Sequence, residues 1–116
     1  QYEKAASAYL AACRPEKAAA ILKQAVKRTP EPRLWHMLGS ILYNQDKPEQ
    51  AYGAFQKSHD LNSDKGESAL MMGYSALKAG LVHEALDAFE TAAKFKNQQQ
   101  AATAGLNAAR SLADAR

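Results

Sequence analysis

The sequence predicts an all-α solenoid of about seven helices stacked as antiparallel pairs, and three observations carry that prediction. First, the stretch WHMLGSILYNQDKPEQAYGAF at 35–55 is nearly repeated as ALMMGYSALKAGLVHEALDAF at 69–89. Gly39 and Gly73, Ala51 and Ala85, and Phe55 and Phe89 are each 34 residues apart, and the offset extends to Ser58 and Ala92. One step back, PEKAAAIL aligns with PEQAYGAF when Ala18 is set on Ala51, 33 residues on. Second, Pro15, Pro30, Pro32 and Pro48 all fall between apolar-periodic runs, where helix boundaries put them. Third, much of the apolar content is alanine, including a run at Ala18, Ala19 and Ala20, which suits helices packed at close range. A unit that repeats at this period buries its apolar face only by stacking on its neighbours.

Taken in order, the first unit covers 1–31. Tyr2, Ala5, Ala6, Tyr9 and Leu10 recur at helical spacing and predict a helix ending near Cys13. Pro15 opens a second helix, with Glu16 at the end where the macrodipole favours a carboxylate and Lys27 and Arg28 at the end that favours cations. The second unit, 32–65, turns Trp35, Leu38, Ile41 and Leu42 inward on its first helix. Asp46, Lys47 and Pro48 make the turn, and Ala51, Ala54, Phe55 and Ser58 line the returning helix. Gly39 inside that pattern costs about 1 kcal/mol relative to alanine and needs a packing reason, which we expect to be close approach of the two helices opposite a small residue such as Ala51. The linker from His59 to Asp64 carries helix-stop and N-cap residues. The third unit, 66–99, presents Ala69, Met72, Gly73, Ala76 and Leu77, a turn at Ala79 and Gly80, then Ala85, Phe89 and Ala92. Residues 100–116 form a seventh helix that either caps the array or opens a fourth unit. The chain begins inside an amphipathic pattern and reads as a piece of a longer protein.

The formal net charge of +3 is concentrated early: seven basic residues precede Leu34 against three acidic ones. Such an excess lacks the dense, aromatic-interleaved stripe of a nucleic-acid binder and reads as a solvated helix face. Cys13 is the single cysteine, which rules out an internal disulfide and leaves cytoplasm and bacterial periplasm both compatible. No apolar run approaches the roughly 20 residues that cross a bilayer. His36, His59 and His83 lie far apart without a second ligand at helical spacing, the glycines are scattered singly, and Cys13 has no activating partner in sequence. We therefore expect no metal, no cofactor and no catalysis.

These residues resemble the tetratricopeptide repeat (TPR), whose signature is Trp, two residues, Leu-Gly, two residues, Tyr, then Ala, three residues, Phe, and a late proline. The second unit matches with Trp35, Leu38, Gly39, Ala51 and Phe55, the third with Gly73, Ala85, Phe89 and Ala92, and the first with Tyr9, Ala18, Ala25 and Pro30. Leu42 stands where the signature has Tyr, with Tyr43 one place late. Ala69 replaces the Trp, and Ser63 and Asn97 replace the proline.

The resemblance implies a right-handed superhelix whose first helices line a concave groove, and a protein-protein interaction scaffold holding a peptide or partner helix there. The core set it implies is Trp35, Leu38, Leu42, Phe55, Met72 and Phe89. The groove set is Arg33, His36, Ser40, Tyr43 and Asn44 from the second unit, with Glu67, Leu70, Tyr74, Leu77 and Lys78 from the third. Tyr43 and Tyr74 would then form an aromatic wall, or else pack between repeats with only their hydroxyls wet. Co-chaperone members grip a partner's C-terminal carboxylate with Lys, Asn and Arg, but the matching places here hold Glu3, Ser7, Met37, Glu67 and Met71, so that clamp is absent. The alternative the resemblance allows is a spacer or platform in a bacterial envelope or exopolysaccharide export assembly. A nucleic-acid partner and direct membrane insertion are not expected. A fragment of such an array is expected to self-associate through exposed end faces.

Overall fold

A computed structural model describes residues 2–62 and 66–115. Among them are seven α-helices: α1 (Tyr2–Ala11), α2 (Pro15–Arg28), α3 (Pro32–Asn44), α4 (Pro48–Leu61), α5 (Glu67–Ala79), α6 (Val82–Ala93) and α7 (Gln99–Asp114), with a 3-10 turn at Lys96–Gln98 before the last. Each helix packs on the next, so the array is elongated, 43 × 26 × 22 Å. The fold is an all-α solenoid of antiparallel pairs. The linker residues Ser63 and Asp64 lie outside the described residues.

Prolines open α2, α3 and α4 in their first turn, where a missing N–H removes no hydrogen bond. The three turns inside the pairs are copies of one another. Cys13 (φ 59°), Asp46 (φ 63°) and Gly80 (φ 79°) each adopt the left-handed conformation where the first helix of the pair ends. The N–H that follows reaches back five residues, from Arg14 to the Tyr9 carbonyl at 2.8 Å, Lys47 to Leu42 at 2.9 Å and Leu81 to Ala76 at 2.8 Å. This closing pattern satisfies carbonyls that the helix end would leave unbonded.

On α3 the buried stripe is Leu34, Leu38, Ile41 and Leu42, whereas Trp35 is only half-buried at its edge. The expected core is corrected there and at Met72, which is also half-buried, while Leu38, Leu42, Phe55 and Phe89 are buried as expected. Leu34 takes the inward place because it falls four residues before Leu38 and seven before Ile41, on the same side of the helix. Gly39 does permit close approach, but the group nearest to it is the large ring of Phe55 rather than a small residue. A Cβ at Gly39 would lie 2.9 Å from that ring. Phe89 is held more tightly, since a Cβ at Gly73 would stand 2.5 Å from it and one at Gly105 of α7 would stand 2.4 Å away. The two fully buried rings therefore set how closely α3 and α5 approach the helices that return.

Candidate functional site

The stripe of α3 next to its core stripe recurs at helical spacing as Arg33, His36, Met37, Ser40 and Asn44. Together with Glu3 and Leu10 of α1 and Glu67 at the start of α5, it lines an open groove of about 780 Å³ along the first helices of the pairs. Leu10, Met37 and Ile41 give the groove an apolar floor, and the polar side chains stand around it. Across its α1 end, Arg33 Nη2 donates to Glu3 Oε2 at 2.6 Å, an exposed pair that joins α1 to α3.

His36 is held from below by a buried run of hydroxyls. Ser58 Oγ donates to the Pro32 carbonyl at 2.9 Å, and Ser68 Oγ donates to Ser58 Oγ at 2.9 Å. His36 Nδ1 lies 3.0 Å from Ser68 Oγ. A carbonyl can only accept, so each hydroxyl hydrogen is committed in turn, and Nδ1 must carry the proton that it donates to Ser68. The ring also meets Phe55 edge-on, with centroids 5.0 Å apart. Tautomer and orientation of this groove side chain are thereby set by three helices, α3, α4 and α5.

The structure brings five of the expected groove residues, Arg33, His36, Ser40, Asn44 and Glu67, into one lining. The others go elsewhere. Tyr43 packs partly into the core of the first two pairs, and Lys78 Nζ sits 4.6 Å above its ring and 3.5 Å from Asp46 Oδ1. Leu70, Tyr74 and Leu77 are half-buried against the cluster that holds Phe89, which Tyr74 meets edge-on at 5.4 Å. Glu3, Leu10, Met37 and Ile41 were not on the expected groove list. The opposite charges of Glu3 and Arg33, one near the start of each first helix, were the available signal for the first of them.

Away from the groove, Tyr52 of α4 is the described residue whose ionisation is clearly displaced. Burial, then the carboxylates Glu84, Asp87 and Asp60, raise it above the ordinary tyrosine value. Among the described residues no three His, Cys, Asp or Glu side chains gather as a metal site, and no helix is long and apolar enough to cross a membrane.

Residues 1–41 match the model of the tetratricopeptide repeat. No curated protein sequence matches the chain. Among solved structures, the chain is similar to YrrB, a TPR protein with an unusual peptide-binding site, at 21% identity and TM-score 0.85, with 99% of this chain and 60% of that one covered. It is similar to the second TPR domain of human RPAP3, solved with an HSP70 peptide, at 14% identity and TM-score 0.83, covering 94% of this chain and 92% of that one. A double mutant of MamA RS-1 aligns at 20% identity and TM-score 0.85, over 97% of this chain and 64% of that one. The chain thus spans less than two thirds of the YrrB and MamA chains. The match over residues 1–41, the helix pairs that continue it in register to α7 and the likeness to these TPR-protein structures together support a tetratricopeptide repeat array.

Proposed function

We propose that this protein is a non-catalytic interaction scaffold that holds an extended peptide or a helix of a protein partner in the groove between α1, α3 and the start of α5. The observation that carries the reading is the lining itself: an apolar floor ringed by Ser40, Asn44, His36 and Arg33, open to solvent along the first helices. Apolar residues supply burial and the amide and hydroxyl groups fix orientation, which is what a peptide main chain flanked by side chains requires. Two of the similar structures are described with peptide binding, which supports the same reading. A protein partner fits better than nucleic acid. Arg33 is the one arginine or lysine among the described lining residues, and it is paired with Glu3.

The test is photocrosslinking from a benzophenone amino acid placed at Ser40 in the native cell, with Lys57 on the outer surface of α4 as control. A discrete protein adduct from Ser40 and none from Lys57 is the expected result. Equal labelling at both positions, or none at either, would overturn groove recognition and favour a spacer.

A further inference from the structure

Charge in the groove is unevenly spent. Arg33 is closed onto Glu3 at 2.6 Å, and Lys78, the nearest cation on α5 beyond the lining, is held by Asp46 and the Tyr43 ring. Glu67 is exposed on the lining and has no ion-pair partner among the described residues. We propose that the groove selects a peptide segment carrying a lysine or arginine side chain, and that Glu67 is the residue that makes the selection. This inference rests on the peptide-groove reading above and names the chemistry of its ligand.

Two features favour a cation. A basic side chain has a long aliphatic stem, and Leu10, Met37 and Ile41 offer an apolar floor on which that stem lies while its charged head stays at the wet rim. Glu67 stands on that rim at the start of α5, supplying the carboxylate. Asn44, also on the lining, offers its side-chain amide to the peptide main chain. An acidic side chain fares worse on the same surface. To reach a cation it must take Arg33 from Glu3, which leaves the Glu3 carboxylate beside the incoming anion, with Glu67 repelling it from the other wall.

A random nonapeptide library displayed on phage and selected on the 116-residue chain tests this directly, with the Ser40→Trp variant as a blocked groove and circular dichroism confirming that each variant folds. Lysine and arginine should be enriched over aspartate and glutamate among the captured peptides. Their synthetic representatives should lose about three- to ten-fold in affinity in Glu67→Gln, the scale of a partly exposed charge pair, and more in Glu67→Lys. Peptides captured without a basic preference, or a basic preference that survives Glu67→Lys, would overturn the role of Glu67 and leave the groove reading standing. Capture no better than by Ser40→Trp would overturn both.

Discussion

The packing of α3 and α4 on α5 and the packing of α5 and α6 on α7 occupy one register of the repeat, yet they are made of opposite materials. In the first, His36, Ser58 and Ser68 form a directed run of hydrogen bonds ending on the Pro32 carbonyl. Thirty-four residues on, Leu70, Ala92 and Ala102 stand at those three positions and pack as an apolar cluster. Serine and alanine differ little in volume, so the helices stack either way. What changes is directionality. Hydrogen bonds fix one orientation of the ring at the groove wall, whereas the alanine seam gives only close packing and lets Leu70 turn in against the core. One copy of the interface has been made into a support for a surface residue, and the other only joins helices.

The largest effects should ignore that difference, because both interfaces rest on a fully buried phenylalanine. Phe55→Ala and Phe89→Ala should each lower the unfolding free energy by about 3–5 kcal/mol in urea titrations. Trp35→Ala, at a half-buried position, should cost clearly less. Equal losses at Trp35 and Phe55 would show that the edge of α3 is buried in solution.

Ser58→Ala separates the two interfaces. It removes two hydrogen bonds inside the protein, Ser68 to Ser58 and Ser58 to the Pro32 carbonyl, and should cost about 1–3 kcal/mol. The triple change His36→Leu, Ser58→Ala and Ser68→Ala copies the residues of the second interface into the first. It should recover part of that loss, since the three side chains that bond to one another become apolar together, while the Pro32 carbonyl still lacks the Ser58 hydroxyl. A triple variant as unstable as the sum of its singles would mean that the polar run contributes net stability rather than orientation.

The glycines sharpen the contrast at smaller scale. Phe89 is gripped between Gly73 and Gly105, while Phe55 has Gly39 on α3 at a longer distance. Gly73→Ala should therefore be the costlier change, about 1–3 kcal/mol from overpacking, with Gly39→Ala below it because its neighbour has less far to move. Ser75 belongs to the same comparison. It is fully buried with an unpartnered hydroxyl, at the register where the preceding pair has Ile41 and α7 has Ala109, and Ser75→Ala should raise the melting temperature.

The period, the helix pairs and the buried phenylalanines were legible in the sequence because spacing alone reports them. The site was legible by half. On α3 the residues beside the core stripe are polar, and polarity agrees with where Arg33, His36, Ser40 and Asn44 stand. On α5 the same register holds Leu70, Tyr74 and Leu77, whose side chains are large and apolar enough to be drawn toward Phe89, and no count along the chain distinguishes a wet aromatic from one leaning on the core. The serine run was invisible for another reason. Its members lie 10 to 32 residues apart, and only the stacking of α5 on the preceding pair brings them together.

The turns extend the comparison to all three pairs, because the same left-handed position is filled by cysteine, aspartate and glycine in succession. A residue with a Cβ pays about 1–2 kcal/mol in that conformation, which glycine avoids at the expense of greater freedom in the unfolded chain. Aspartate relieves part of the strain because it tolerates this region better than most residues. Cysteine has no such relief. Cys13→Gly should therefore stabilise the chain by about 0.5–1 kcal/mol and Asp46→Gly by less, while Gly80→Ala should destabilise it by about 1 kcal/mol. Thermal unfolding of the three variants orders them. A Cys13→Gly variant that melts lower than the parent would mean that the thiol at the rim of the groove contributes contacts that outweigh the backbone strain it imposes.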